Sequence, residues 1–405
     1  MGGGLMQLVA YGAQDIYLTG NPQITFFKVV YRRHTNFSME AIEQTFNGSV
    51  GFGNRVSATI SRNGDLVSRL YVQWNPAHIR TKTATAAGNT LLSETEIEIG
   101  GQKIDKQSNL WMTTWDWLST PNPTGAITAA NTSVTGFFTG ATLEQISSFN
   151  HYYGTATTAT DTAYVPLKFW FCRNPGLALP LIALQYHEVK VNITFASEKH
   201  VASATNGSLD VKLWADYIYL DTDERRRFAQ VSHEYLIEQV QEQTCSTGNK
   251  NFEVNFNHPV KELIWVGKGT AIVASPTAQG PGAPYVTADD FGPGSATSEC
   301  TWQLKLNGHD RFAARDSRYF TRTQVLAHHT GFGGLDAAGC RDSIAVYSFA
   351  LKPEEHQPSG TCNFSRIDNA QLITNVDTVT DMQLYAVNYN VLRIMSGMGG
   401  LAYSN

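Results

Sequence analysis

The residues of this sequence that could bind a metal ion are a histidine pair and a third histidine beside two glutamates. The pair is His328 and His329, and His356 follows Glu354 and Glu355 between two prolines. Imidazole and carboxylate groups are common ligands of zinc and iron, so a cupin-like metalloenzyme is one hypothesis. Adjacent residues of a strand point to opposite faces, however, and the HxH spacing of cupins does not occur. The sequence therefore predicts no metal site and no cofactor.

Three glycine-rich segments, at 2–4, 51–53 and 331–334, are the candidates for phosphate binding. A phosphate loop follows a strand and opens a long helix, and none of the three segments has that setting. The GxSxG, HExxH and catalytic-cysteine signatures are also missing from the sequence. We therefore predict that there are no catalytic residues and that the protein is not an enzyme.

The charge and the cysteine spacing argue against a nucleic-acid-binding protein and against a disulfide framework or zinc cluster. The net charge is −5, and the one dense basic run, 225–227, follows three acidic residues. Nucleic-acid binders neutralise phosphates with clustered lysine and arginine, so no direct contact with nucleic acid is predicted. The five cysteines stand singly, without a CxxC pair. A disulfide framework or zinc cluster would need paired spacing, so free thiols in a cytosol-assembled protein are expected.

Asn-x-Ser/Thr sequences mark the candidate glycosylation sites. Of six such asparagines, Asn131 and Asn206 lie in loop-like surroundings and would be the most accessible. Their use requires the secretory lumen, but the N-terminus lacks the basic and then apolar order of a signal peptide. The longest apolar run, 177–184, contains Pro180 and is too short to cross a bilayer. We therefore expect a soluble protein made without a secretory leader.

Alternation of apolar and polar residues dominates the sequence and predicts the elements that position these groups. It occurs at 94–99, 189–195, 209–213, 252–256, 302–306 and 385–391. Such alternation is typical of half-buried antiparallel strands. Helical periodicity is confined to short segments at 110–118 and 143–149. An all-β protein built from sandwiches or barrels is therefore predicted.

The length of 405 residues exceeds one ordinary sandwich and fits two domains. Charged residues form only 16% of the chain, which suits large subunit contacts but also a secreted β-rich glycoprotein. Two long segments, 120–164 and 267–298, are rich in small and turn-forming residues and are predicted to be exposed loops. A charge-dense stretch at 221–227 marks the domain boundary. The predicted divisions are an N-terminal segment 1–25 and domains 26–222 and 223–405.

Ordered motifs along the whole chain resemble one family. They lie at 8–37, 51–54, 61–66, 221–228, 258–265, 307–311, 347–365 and 390–401. The most specific is YSFALKPEEHQPSGTCNFS, at 347–365. With these motifs the sequence resembles the major capsid proteins of nucleocytoplasmic large DNA viruses, especially those of chlorella-type algal viruses and their amoeba-infecting relatives. The resemblance is weakest in the two long loops.

The resemblance implies a tandem double jelly roll, two eight-stranded antiparallel β-sandwiches with long surface loops. It also implies homotrimeric, pseudo-hexagonal capsomers that tile the icosahedral virion shell of a large double-stranded DNA virus. The implied partners are neighbouring capsomers, minor capsid proteins and penton proteins. Residues 1–25 would lie at the capsomer base, close to an inner viral membrane. The long loops would face the host, where binding of surface glycans is a lectin-like alternative, and assembly would occur in the host cytoplasm.

Overall fold

The protein is described by a computed structural model whose described residues are 3–10, 12–75, 79–81, 87–121, 162–198, 202–205, 209–246, 248–267, 300–331, 333, 344–375 and 382–403. Most of both predicted long loops, the predicted helix at 143–149 and the sequons at Asn131 and Asn206 lie outside these residues. The chain forms two compact units, Met1–Asn36 and Phe37–Asn405.

The unit Met1–Asn36 contains two short helices, α1 (Gly3–Val9) and α2 (Ile16–Thr19). Its apolar side chains are exposed to solvent, among them Leu8 and Phe27. The described part of this unit therefore has no hydrophobic core of its own. Within the described parts of the chain, no helix has the length and apolar character needed to span a membrane.

The first sandwich is built from antiparallel strands between residues 37 and 220. They are β1 (Phe37–Gln44), β2 (Phe46–Asn47), β3 (Arg55–Thr59), β4 (Leu66–Asn75), β5 (Ile79–Thr81), β6 (Leu92–Ile99), β7 (Gln102–Ser108), β8 (Ala163–Pro166), β9 (Leu179–Pro180), β10 (Val189–Phe195), β11 (Ala202–Thr205) and β12 (Asp210–Leu220). One sheet has the order β1-β12-β4-β8, with β9 beside β4. The other has the order β2-β3-β10-β6-β7, and β5 pairs with β11 separately.

The second sandwich is built from antiparallel strands between residues 233 and 401. They are β13 (His233–Cys245), β14 (Asn251–Glu253), β15 (Pro259–Gly267), β16 (Thr301–Leu306), β17 (His309–Asp316), β18 (Ile344–Ser348), β19 (Cys362–Asn363), β20 (Ala370–Thr374), β21 (Met382–Met395) and β22 (Met398–Leu401). One sheet has the order β13-β21-β15-β18, with β19 beside β15 and β22 beside β21. The other has the order β14-β20-β16-β17.

Short helices lie between the strands. They are α3 (Ala87–Leu91), α4 (Asn109–Ser119), α5 (Trp170–Arg173), α6 (Thr222–Gln230) and α7 (Gln324–His328), with a π-helical turn at Tyr319–Thr323 and 3₁₀ turns at Pro175–Leu177 and Phe364–Arg366. Helix α4 confirms the predicted helix at 110–118. It starts where the Ser108 side chain accepts a hydrogen bond from the backbone N–H of Trp111, which is the usual role of an N-cap serine.

The alternating segments form strands because one face of each is buried. In β10, for example, Val191, Ile193 and Phe195 are at most 1% exposed. One continuous core passes through both sandwiches and contains five tryptophans that are at most 2% exposed. These are Trp74, Trp111, Trp170, Trp265 and Trp302. The all-β architecture of sandwiches that the sequence predicts is therefore observed.

Candidate functional site: the junction between the two sandwiches

The two sandwiches meet along strands β7 and β13. The hydrogen bonds across this contact are Gln239 Nε2 to the Ile104 carbonyl, Val240 N to Asp105 Oδ1 (3.2 Å) and Ser108 Oγ to Glu242 Oε2 (3.0 Å). Asp105 is buried, and its burial raises the pKa of the carboxyl to about 7, although the donors around it act in the opposite direction. The strands are therefore held by directional polar contacts as well as by apolar packing.

A second line of contact joins helix α4 of the first sandwich to the segment after α7 in the second. Gly331 N donates to the Leu118 carbonyl at 2.7 Å, and Gly333 N donates to the Trp117 carbonyl at 3.0 Å. The last carbonyls of a helix have no partner within it, so the second sandwich completes the C-terminus of α4. A Cβ atom on Gly331 would lie 2.2 Å from the Trp117 carbonyl oxygen. The absence of a side chain at Gly331 therefore permits this close backbone approach.

Buried charges form a cluster at the junction, with Glu238 of β13 at its centre. Arg173 Nη2 of α5 lies 2.9 Å from one carboxylate oxygen of Glu238, and Lys261 Nζ of β15 lies 2.8 Å from the other. His356 Nδ1 lies 3.7 Å away. Burial alone would raise the pKa of Glu238, but Arg173 and Lys261 outweigh it and lower the pKa to about 2. Since Arg173 comes from the first sandwich, this ion pair crosses the junction.

His329 is held in the same cluster between two carboxylates. Its Nε2 lies 3.0 Å from Glu262 Oε2, and its Nδ1 lies 3.0 Å from Glu354 Oε1. Burial alone would lower the pKa of His329, but the two carboxylates raise it to about 9. The ring is therefore protonated at neutral pH and donates from both nitrogens. It also contacts the edge of Trp115 in α4, with 6.3 Å between ring centroids.

The histidines considered as metal ligands are separated by the structure. His328 ends α7 and is half-buried, with Nδ1 3.2 Å from the Leu351 carbonyl oxygen, whereas His329 follows the helix and is buried. The sequence analysis assumed that these two histidines lie on a strand, but they lie at the end of a helix. Among the described residues, no group of three or more histidine, cysteine, aspartate or glutamate side chains is arranged to hold a metal ion.

Sequence reasoning missed the residues that form the charged cluster. A signal for it exists, because Lys261 and Glu262 are adjacent charges inside the otherwise apolar strand 259–267. Both residues are 0% exposed. Charged residues are almost never fully buried unless they are paired, so such a strand indicates partners supplied by other elements. Which partners these are depends on tertiary contacts.

A cavity of about 160 Å³ lies beside the charged cluster. Its lining residues are Trp170, Arg173, Asn174, Pro175, Leu177, Glu238, Glu354 and His356. Sites for organic ligands usually enclose about 300–1,000 Å³ and are mostly apolar. This cavity is smaller and lined by both signs of charge, so it suits a few ordered waters better than an organic substrate.

The strand register gives the unit Phe37–Asn405 two different ends. At one end, Asn75 pairs with Asp210, and Gly267 pairs with Met382. These residues flank the chain segments that lie outside the described residues, and we call this the loop end. At the opposite end Phe37 pairs with Leu220, and helix α6 leads from there into β13. We call this the connector end.

Asp65 fixes the connector at this end. Its carboxylate accepts from the Leu220 N–H at 2.8 Å and pairs with both Arg225 Nε and Arg225 Nη2 of α6 at 3.0 Å. Asp65 is 6% exposed. A buried carboxylate with a two-point arginine contact holds the guanidinium in one orientation. The start of α6 is therefore anchored to the first sandwich.

Replacing Asp65 by alanine should lower the free energy of unfolding by about 1–3 kcal/mol, because the Leu220 N–H and the Arg225 guanidinium lose their partner. Urea denaturation followed by tryptophan fluorescence measures this change. Arg226→Ala is the matched control, since Arg226 is exposed on the same helix and should change stability by no more than about 0.5 kcal/mol. Equal effects of the two variants would contradict an anchoring role for Asp65.

Two family models match the chain. "Major capsid protein N-terminus" matches residues 25–221, and "Large eukaryotic DNA virus major capsid protein" matches residues 224–400. The chain belongs to the major capsid protein family of large eukaryotic DNA viruses. The capsid protein is 52% identical to the major capsid protein of Pyramimonas orientalis virus and 45% identical to that of Paramecium bursaria Chlorella virus 1. Both alignments cover 100% of each chain.

Solved structures agree with this assignment. The quasi-atomic model of the PBCV-1 virus capsid matches with a TM-score of 0.74 and 39% identity, covering 94% of this chain and 100% of that one. The Faustovirus major capsid protein shares the fold, with a TM-score of 0.66 at 14% identity. The predicted family and the tandem double jelly roll are therefore confirmed. The capsid protein has a structural and not an enzymatic role, and it assembles with other capsomers into the capsid of the virion.

Proposed function

We propose that three copies of the capsid protein form a capsomer of pseudo-hexagonal outline and that these capsomers tile an icosahedral shell. The observation that carries the proposal is the junction, where apolar, hydrogen-bonded and ionic contacts hold two sandwiches of one chain together. Two similar sandwiches in each of three chains would give a ring with six similar sides. Such a ring can pack hexagonally with a single gene product.

The proposed division of each chain places the two jelly rolls at residues 26–222 and 223–405. In the described part of the chain, each strand pairs only with strands of its own sandwich. Helix α6, which starts at Thr222, is the covalent link between them. A short, anchored connector limits how the two jelly rolls can turn, and it thereby supports the fixed geometry that a six-sided capsomer needs.

The connector end is proposed to face the interior of the virion. Strand β1 begins there, so the N-terminal segment 1–25 would lie at the capsomer base, near minor capsid proteins, penton proteins and the inner viral membrane. The loop end would face the host, and contact with surface glycans and glycosylation at Asn131 or Asn206 would belong to it. Among the described residues, Cys172, Cys245 and Cys362 are free thiols, which agrees with assembly in the host cytoplasm.

The purified protein should elute as one species of about 134 kDa, since each chain has a mass of 44.6 kDa and a permanent trimer buries a large obligate interface. Size-exclusion chromatography with light scattering measures the mass, and negative-stain electron microscopy should show six-sided particles. A monomer that persists at high protein concentration would contradict the trimer. A virion reconstruction in which the loop end points inward would contradict the assignment of the two ends.

A further inference from the structure

Three polar side chains that the junction does not use meet inside the first sandwich. Lys168 follows strand β8, Asp116 lies on α4, and Asn89 lies on α3. They are 8%, 3% and 0% exposed. Lys168 Nζ lies 2.6 Å from Asp116 Oδ1, and Asn89 Nδ2 donates to Asp116 Oδ2 at 2.8 Å. One carboxylate therefore contacts an amine and a carboxamide at the same time.

The residues that adjoin this group in the sequence are apolar and buried. Leu167 and Phe169, on either side of Lys168, are at most 1% exposed, and so is Leu91, the last residue of α3. Trp115, next to Asp116, is 4% exposed. Separated charges are costly in the buried interior of a protein, so transfer of a proton from the lysine ammonium to the aspartate is easier here than in water. The neutral amine that results is a nucleophile.

We propose that Lys168 and Asn89 join in an intramolecular isopeptide bond, with Asp116 as the group that moves the protons. Asp116 accepts a proton from the Lys168 ammonium, and the free Nζ attacks Cγ of Asn89. Asp116 then returns a proton to Nδ2, the bond between Cγ and Nδ2 breaks, and the second Nζ proton leaves with the departing nitrogen. The products are a secondary amide, an ammonium ion and the regenerated Asp116 carboxylate. Charge and atoms balance, and no other reactant is required.

The position of the bond indicates what it would do. It would connect α3 to the chain beyond β8, and so close a covalent loop that contains α4 and the segment 122–161. A cross-link of this kind removes conformational freedom from the unfolded chain, and the loss grows with the length of the closed loop. The first jelly roll would then be tied at the end that carries its long segment.

The full-length protein should be lighter than its sequence mass by about 17 Da, the mass of the ammonia lost when an amine displaces an amide nitrogen. Trypsin should leave the chain uncut after Lys168 and release a branched peptide that joins residues 83–103 to 107–173. Lys168→Arg and Asp116→Asn should each restore the sequence mass and the linear peptides. Lys212→Arg, a change at an exposed lysine, should leave the branched peptide in place.

The peptide map decides between the outcomes. The full sequence mass with linear peptides overturns the proposal, and so does a loss of about 17 Da without a branched peptide, since an asparagine succinimide has the same mass. A branch to Asp116 with the loss of water would overturn the assignment of Asn89. Circular dichroism shows whether each variant folds, and the map of the unaltered protein decides the question even if a variant does not.

Discussion

Replacement of Lys261 by methionine should lower the free energy of unfolding of the capsid protein by about 3–5 kcal/mol. Lys261 is 0% exposed and lies 2.8 Å from Glu238, which is itself 4% exposed. Methionine fills a similar volume but leaves Glu238 with Arg173 as its main cationic partner, and a buried carboxylate that loses a cation is costly. Urea denaturation of the purified protein, followed by tryptophan fluorescence, measures the change.

The matched control for this experiment is Lys212→Met, which removes an exposed lysine. Lys212 pairs with Glu43 at 3.2 Å, and both side chains are 46% exposed. Exposed pairs of this kind contribute about 0–1 kcal/mol. The double variant Lys261→Met with Glu238→Gln should recover part of the stability, because it removes the carboxylate as well as the cation. A Lys261→Met protein as stable as the Lys212→Met protein would contradict a stabilising role for the buried pair of Lys261 and Glu238.

The second expected result is a loss of stability in alkali that depends on His329. Its pKa is about 9 in the folded protein and about 6.5 in the unfolded chain. The contribution of His329 to the free energy of unfolding is therefore fully present below pH 6.5 and is lost as the pH rises through 9. The difference between the two pKa values corresponds to about 3 kcal/mol.

His329→Gln tests this dependence, because glutamine keeps a donor but does not titrate. Melting temperatures of both proteins between pH 6 and pH 10 should differ most at pH 6 and converge above pH 9. The pKa of Asp105 is raised to about 7. Its contribution to the free energy of unfolding is lost as the pH rises to 7, mostly below the pH range of this experiment. Since Asp105 is present in both proteins, the difference between them isolates His329. A constant difference across the range would contradict the protonated state of the ring.

Acid acts on the same cluster through Glu238. Its pKa is lowered to about 2 in the folded protein and is about 4.3 in the unfolded chain. Its contribution to the free energy of unfolding is therefore present above pH 4.3 and is lost as the pH falls through 2. The Glu238 carboxylate therefore retains its charge across the neutral range, whereas burial lowers the pKa of Lys261 beside it. Buried ion pairs add less net stability than apolar packing would, but they disfavour every arrangement that leaves a charge unpaired. We infer that the cluster selects one relative orientation of the two jelly rolls.

The local sequence pattern determined the strands, one helix and the family of this protein. Alternation of apolar and polar residues predicts strands such as β10, because a strand with one buried face requires that period. The helix at 110–118 could be predicted in the same way, and ordered motifs were enough to identify the family. These features depend on residues that are close together in the chain, so they can be read without knowledge of the fold.

Only the tertiary structure determined which residues meet at the junction between the two sandwiches. Arg173, Glu238 and His329 come from separate elements, and nothing in their local sequence marks them as neighbours. The same holds for Lys168 and Asn89, which are brought together only when β8 and α3 pack against α4. The sequence shows that Lys261 and Glu262 interrupt an apolar strand, but long-range contacts determine their partners. A buried charge is stable only beside its counter-charge, and that proximity is a property of the packed fold.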